Sequence, residues 1–331
     1  MTKNQFHIVC IEEGKRIDVF LSEKLSLTRT KVKDMIDGGC VHVAGKVPKP
    51  SQKVRNLMEI DGEIPAEEPL KLTPQEIPLE ILYEDEYFLA VNKPKDMVVH
   101  PSFGHKEGTL VNAVLAYMGQ GEKGNLKSQI SNLKSYNQED IYEDAQNSIL
   151  HNSRNAILRP GIVHRLDKGT TGVIIVAKDS KTQEMLSALF KKRAVRKTYR
   201  AIVEGVIKQK EGAIEGNIGR HPIDRKKMAV LKEGGRDAAT SFKVIEQFNG
   251  FSYIEAYPKT GRTHQIRVHL SHIGHPVAGD DLYGKKAKHI ADRPFLHAYR
   301  IQFIHPVKNI PIAVEAPVPL DMIDFIAQYT L

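Results

Sequence analysis

Apolar positions change their period several times along the 331 residues, and each change predicts an element. Phe6 to Ile11 reads as a short strand. Ile17, Phe20, Leu21 and Leu25 fall on one face of a helix, and Val32, Met35 and Ile36 on one face of a second. Ser26 or Thr28 caps that second helix, Gly38-Gly39 ends it, and Arg29, Lys31 and Lys33 point away from its apolar side. Val41 and Val43 alternate into Ala44-Gly45, a hairpin signal, and a further strand is predicted over 54–60. These elements make a small module over residues 1–62. An acidic stretch over 63–80 follows, with Pro65, Pro69, Pro74 and Pro78, and reads as a stiff linker.

A larger domain is predicted over 81–331. Two short strands lie between Ile81 and Val91, and Thr109 caps a helix with Leu110, Ala113, Val114 and Met118 on one side. Residues 119–157 are rich in Asn, Ser, Gln, Lys and Glu without apolar periodicity, which predicts a flexible insertion. Val173 to Val176 is a buried strand, and 180–190 a helix with Met185, Leu186 and Leu189 inward. Over 196–203 the residues Lys197, Tyr199, Ala201 and Val203 share one strand face. Residues 216–230 form a loop or hairpin, strands follow over 238–246 and 252–257, and Thr263 caps a helix whose inward stripe is Ile266, Leu270 and Ile273. Two more strands (295–303 and 311–316) and a helix from Leu320 end the chain. Strands outnumber helices and do not alternate as βαβ units. The expected class is therefore α+β, a mixed or antiparallel sheet preceded by a small α/β module.

Charge adds a second layer. The net charge is +8, with +4 in residues 1–60, −8 in 61–90 and +12 in the remainder. Two basic bodies joined by an acidic strap suit a polyanionic partner. Two cysteines, Cys10 and Cys40, make neither a disulfide framework nor a metal cluster. No long apolar run reads as a membrane span, and Met1 to His7 lacks the layout of a signal peptide. A monomer in a reducing cytoplasm is expected.

The chemistry centres on Gly161-Ile-Val-His-Arg-Leu-Asp-Lys-Gly-Thr-Thr-Gly172, just before the buried strand. A carboxylate on a tight turn beside a core strand is held rigidly. Lys168-Gly-Thr-Thr lacks the spacing of a nucleotide-binding loop, and no second acid near Asp167 makes a two-carboxylate glycosidase. His264, His269, His272 and His275 lack a zinc signature, so no metal is expected. Arg267 stands in the first turns of a helix, where a cation is unfavourable unless an anion faces it. Arg220, Arg225, Lys226 and Lys227 form a basic tip suited to a phosphate backbone. A single ionised Asp with an arginine beside it can act as a nucleophile at a glycosidic bond.

Two resemblances sharpen this picture. Arg29-Thr-Lys31, Ile36-Asp-Gly-Gly-Cys-Val-His-Val-Ala-Gly45 and Lys49-Pro-Ser-Gln resemble a small RNA-binding module first described in a ribosomal protein. That resemblance implies that Arg29, Lys31 and Lys33 contact phosphate. His164-Arg-Leu-Asp-Lys-Gly-Thr-Thr-Gly172, Arg196-Lys-Thr-Tyr199 and Thr260-Gly-Arg-Thr-His-Gln-Ile-Arg-Val-His269 resemble the successive motifs of the large RNA pseudouridine synthases. Gly219-Arg-His-Pro and Met228-Ala-Val230 are similar to the bacterial branch acting on large-subunit rRNA.

The resemblance implies that Asp167 is the nucleophile, at ribose carbon 1 or base carbon 6 of the target uridine. Tyr199 would stack on the flipped base and take a proton late, and Arg267 would hold Asp167 ionised. Arg165 would fill the gap left in the RNA stack, Leu296 would line the base pocket, and Arg262 and His264 would contact RNA. The isomerisation conserves mass and redox state, so no cofactor is expected, and the partner would be ribosomal RNA or a large-subunit precursor. A non-catalytic RNA-binding or assembly factor, indifferent to Asp167→Asn, and a glycosylase releasing free uracil are the competing readings.

Overall fold

The computed structural model describes residues 4–65, 72–101, 107–120, 161–284 and 290–330. The chain divides into two compact units, Met1–Lys71 and Leu72–Leu331. Of the expected insertion over 119–157, the first two residues end a helix and the rest lies outside the described residues.

In the first unit, β1 (Asn4–Val9), α1 (Ile17–Lys24), α2 (Arg29–Asp37), β2 (Val41–Val43) and β3 (Glu59–Ile64) follow in order. The strands form a sheet of order β1-β3-β2. The apolar stripes identified in the sequence meet on it: Ile17, Phe20, Leu21, Val32, Met35, Ile36 and Ile60 are buried together. Thr28 caps α2 by accepting the Lys31 N–H. The strand expected over 54–60 is instead β3, shifted towards the C-terminus. The reason is a turn in which Leu57 takes a left-handed φ of +64° and donates its N–H to the Cys10 carbonyl.

The second unit contains β4 (Glu80–Glu84), β5 (Phe88–Lys93), α3 (Leu110–Gln120), β6 (Thr171–Ala177) and α4 (Ser180–Lys191). Then come β7 (Arg196–Glu204), β8 (Glu211–Arg220), β9 (Met228–Leu231), β10 (Arg236–Phe248) and β11 (Phe251–Pro258). Helix α5 (Gln265–His272), β12 (Leu296–Ile304), β13 (Pro311–Glu315) and α6 (Leu320–Thr330) complete it. One sheet runs β4-β5-β6-β12-β7-β11-β10-β8-β9, with β13 against β12. This is the α+β class with a mixed sheet. Strand β6 is buried at every position, because it is covered on both faces. Leu89, Val91, Leu110, Val114, Ile174 and Val176 cluster on one side, and Phe88, Ala90, Val173, Ile175, Leu186 and Val314 on the other.

The middle of the sheet is its loosest seam. Strands β6 and β12 pair in parallel only at His297↔Thr171 and Ala298↔Gly172. The pairing of β12 with β7 shifts register between His297 and Arg300. Gly172 is required there: its φ is +107°, and a Cβ would lie 2.3 Å from the Ala298 carbonyl oxygen. Helix α5 lies against the other half of the sheet, its Ile266 and Leu270 packing on Ala201, Val203, Ile254 and Ala256. The seam and α5 together bring the two halves of the candidate site to one place.

Candidate active site

The turn before β6 is tied down at several points. The Gly161 carbonyl accepts the Ala177 N–H at 2.7 Å. His164 Nε2 accepts the Ile175 N–H at 2.9 Å, beyond the stretch where β12 pairs β6, and its ring stacks on Phe190. Burial, with the nearby Lys197 charge, pushes the His164 pKa down to about 3, so this imidazole is neutral and structural. Asp167 closes the turn by accepting the Thr170 N–H on its main chain at 3.0 Å. Its side chain is 20% exposed, open enough to reach a ligand and enclosed enough to be fixed.

Arg267 comes from α5 on the other half of the sheet. Its Nη1 donates to Asp167 Oδ2 at 3.2 Å, while Nε and Nη2 grip Asp280 at 2.7 and 2.8 Å. Burial alone would lower the guanidinium pKa, but its bonds to Asp280 and the Asp167 charge outweigh that and hold it above the ordinary value. Asp280 also accepts the N–H groups of Leu282 and Tyr283. The Tyr283 ring carries the Arg267 guanidinium 5.2 Å from its centroid.

His264 stands beside the pair, its Nε2 3.9 Å from Asp167 Oδ2 and its Nδ1 3.0 Å from Tyr283 Oη. Burial pushes its pKa below the ordinary value despite the neighbouring carboxylate. The expected cap at Thr263 is corrected here: His264 is the N-cap of α5, with a left-handed φ of +55° and no side-chain capping bond. Such a conformation is uncommon for a residue with a Cβ and must be enforced by its surroundings. Gln265 supplies that enforcement, bonding Thr260, the Arg262 N–H, Thr240 and the Ala239 carbonyl.

Asp167 opens into a cleft of about 480 Å³ lined also by Arg165, Tyr199, Arg262, His264, Arg267 and Leu296. Seven cations line this cleft (Arg165, Lys191, Arg193, Lys197, Lys259, Arg262 and Arg267), against Asp167 as its one carboxylate among the described residues. Burial first, then the Asp167 charge, raise the Tyr199 pKa well above that of a free phenol. Tyr199 is therefore a neutral phenol in the resting cleft. Arg262 is partly engaged, donating from Nε to the Asp237 carbonyl at 2.9 Å.

The other predicted contacts lie elsewhere. Arg220, Arg225, Lys226 and Lys227 sit at the β8–β9 hairpin tip and do not line the cleft. Arg220 is spent on the Arg225 carbonyl at 2.9 Å, while Met228, paired with Arg220 where the tip begins, donates its N–H to Tyr283 Oη. In the first unit Lys33 is exposed on α2 as expected. Arg29 is also exposed, but its Nε donates to the buried Asp18 at 2.9 Å, which holds Arg16 as well.

Two groups at the site escaped the sequence reading. Asp280 carries no motif of its own, although the unfavourable place of Arg267 in its helix already called for an anion. Lys93 is fully buried on β5, its Nζ donating to the carbonyls of Pro94, Met97 and Lys168 at 2.8, 2.9 and 3.1 Å. Burial pushes its pKa down to about 7, partly countered by the charge of Asp167. It fastens the residue next to Asp167 from beneath. Among the described residues no group of three His, Cys, Asp or Glu side chains is placed to hold a metal ion. No helix of the described residues is long and apolar enough to cross a membrane.

The RNA pseudouridylate synthase family profile matches residues 87–272, a span containing Asp167, Tyr199 and Arg267. The chain belongs to the RNA pseudouridylate synthase family. The synthase also matches the S4 domain over residues 15–60. It is 37% identical over 326 residues to the uncharacterized RNA pseudouridine synthase YlyB of Bacillus subtilis, covering 98% of this chain and 97% of that one. It is 37% identical to the ribosomal large subunit pseudouridine synthase D of Neisseria meningitidis (serogroup A), over 93% of this chain and 77% of the relative. Among solved structures, the human RNA pseudouridylate synthase domain containing 1 superposes with a TM-score of 0.56 at 25% identity, over 80% of this chain and 91% of that one. The synthase is an RNA-modifying isomerase with an S4 domain at its N-terminal end.

Proposed function

We propose that this synthase converts uridines of large-subunit ribosomal RNA to pseudouridine, with Asp167 as the nucleophile acting on a flipped nucleotide. The names of relatives such as those of Neisseria meningitidis and Zymomonas mobilis support the choice of RNA. One observation carries the chemistry: the lone carboxylate of a cationic cleft accepts a bond from a buried guanidinium at 3.2 Å. The guanidinium fixes one carboxylate oxygen by a charge-assisted bond and so holds the attacking group in place.

The target uridine leaves the RNA stack to enter the cleft, and Arg165, exposed at its rim, occupies the space left behind. Asp167 attacks carbon 1 of the ribose or carbon 6 of the base. In the first route the carbon–nitrogen bond breaks as an acyl ester forms. The uracil turns, its carbon 5 bonds to the sugar carbon, and the ester is released. The hydrogen on carbon 5 then leaves as a proton while the former glycosidic nitrogen gains one, so the isomer has the same atoms and electrons as its substrate. Tyr199 faces the base with Leu296 and takes the carbon 5 proton. As a neutral phenol it passes its own proton on, directly or through water, to the former glycosidic nitrogen while accepting the new one. Exposed cations of the cleft and of the β8–β9 tip, with Lys33 of α2, supply attraction to phosphate that falls with salt.

The test compares pseudouridine maps of ribosomal RNA from cells with the wild-type gene, without it, and with Asp167→Asn. The expected result is loss of modification at a small set of large-subunit positions in the last two, with RNA binding by the purified variant preserved. Product formation by Asp167→Asn at the wild-type rate overturns the nucleophile, and unchanged large-subunit maps overturn the substrate.

A further inference from the structure

The cleft contains a cation that the reaction chemistry leaves without a task. Lys197 lies on β7 two residues before Tyr199, on the same strand face, and lines the cleft. Its Nζ donates to the Thr260 carbonyl at 3.2 Å. Burial pushes its pKa down to about 8, and among the described residues no salt-bridge partner answers it. The other two enclosed cations of the site are answered in full: Arg267 by two carboxylates, and Lys93 by three carbonyls. An ammonium has three N–H donors, and among the described residues Lys197 has one acceptor for them. It also depresses the pKa of His164, so its charge is felt by its neighbours.

That single acceptor is rigid. Thr260 is held through its hydroxyl, which donates to Gln265 at 2.6 Å and accepts the Ala239 N–H at 3.2 Å. The ammonium is thus aimed, not merely tethered. Keeping a partly desolvated cation without an anion costs stability in the free protein. Asp167 is bonded by Arg267, whereas the Lys197 ammonium is turned to the Thr260 carbonyl. The remaining donors of Lys197 are open to an acceptor brought by the ligand. The exposed Lys191, Arg193 and Lys259 line the same cleft and continue a positive path to solvent.

We propose that Lys197 is a phosphate site, its ammonium taking one backbone phosphate of the RNA strand beside the nucleotide held in the cleft. A phosphate oxygen supplies the charge and the acceptors that the free protein withholds. This rests on the RNA-modifying reading above, and it assigns Lys197 to binding and alignment, not to bond-making.

The test uses the full chain and an unmodified large-subunit rRNA transcript, with Lys197→Gln and Lys197→Arg beside the wild type. For Lys197→Gln the loss should fall on KM, roughly tenfold or more as for a bond to a charged group, with the change in kcat much smaller. The slope of log Kd against log salt should fall by roughly 0.7 to 0.9, the value of one phosphate contact. Lys197→Arg should recover most of the affinity, and the free Lys197→Gln protein should melt no lower than the wild type. A stem-loop carrying single methylphosphonates should lose affinity for the wild type at one position, and the same substitution should cost Lys197→Gln little.

An unchanged KM and salt slope, or methylphosphonate effects identical in both proteins, overturn the assignment. A fall in kcat at constant KM also overturns it, since that places the amine at the reacting atoms. If the wild type makes no pseudouridine in this transcript, the substrate reading fails on its own, and the salt slopes and methylphosphonate scan still decide Lys197.

Discussion

Replacing Arg267 by methionine separates what this guanidinium does for the fold from what it does for the reaction. The substitution keeps apolar volume in α5 and leaves two carboxylates without their cation. Asp167 is partly open to water, but the Asp280 side chain is fully buried. An uncompensated buried charge costs about 3–5 kcal/mol. In a unit of this size each kcal/mol lowers Tm by roughly 2–4 °C, so Arg267→Met should melt about 6–20 °C below the wild type. Adding Asp280→Asn removes the stranded charge, and the amide oxygen can still accept the N–H groups of Leu282 and Tyr283. The double variant should therefore regain most of the lost stability. Turnover should not return, because Asp167 still lacks the guanidinium that bonds and positions it. Calorimetry and single-turnover kinetics on the same preparations read the two quantities. Recovery of turnover in the double variant would show that Arg267 acts only by steadying the fold. A stable, active Arg267→Met would remove the ion pair from the account altogether.

Three further outcomes follow from the geometry. Lys93 is held near pKa 7 in the folded state and titrates near 10.4 when unfolded. Between those values the unfolded chain binds the extra proton, so stability should rise with pH by up to ~1.4 kcal/mol per unit on this account. Below about pH 7 both states are protonated and the penalty of burying the charge is fully present. Lys93→Met should abolish this part of the slope in urea titrations, and an unchanged slope would refute the assignment. Gly172→Ala forces a Cβ against the Ala298 carbonyl at a positive φ. It should cost more than about 1 kcal/mol, and a Tm equal to the wild type would show that the seam yields. Tyr199→Phe should lower turnover by roughly 10²–10⁴-fold if the hydroxyl moves a proton, with little change in Tm; near-normal turnover would leave Tyr199 as packing only.

Much of this arrangement was readable from residue order because local rules and tertiary packing agree. The stripes Ile17/Phe20/Leu21 and Val32/Met35/Ile36 are buried as their spacing predicts, and the run from Val173 to Val176 is a strand enclosed on both faces. The anion demanded by the helix position of Arg267 exists. What was not readable depends on partners distant in the chain. Asp280 looks like any turn acid until α5 and the 279–284 turn are packed together. Lys93 lies in a buried run where a lysine is unexpected; Pro94 and Met97 accept from it locally, but its third acceptor, Lys168, is 75 residues away and meets it only in the folded unit. The left-handed His264 displaced the expected Thr263 cap because the Gln265 network, not local capping preference, sets the loop. Arg29 was taken as a solvent-facing cation, and its link to Asp18 appears only once α1 and α2 meet.

Asp167 and Arg267 are 100 residues apart in the chain, and they meet only across the seam between β6 and the later strands. A nascent polypeptide that has emerged as far as β6 therefore carries Asp167 without the guanidinium that pairs with it. Competence arrives late in synthesis, when α5 has docked and β12 has inserted between β6 and β7. Under the chemistry proposed above, half-made chains on the ribosome should be silent towards the RNA that surrounds them.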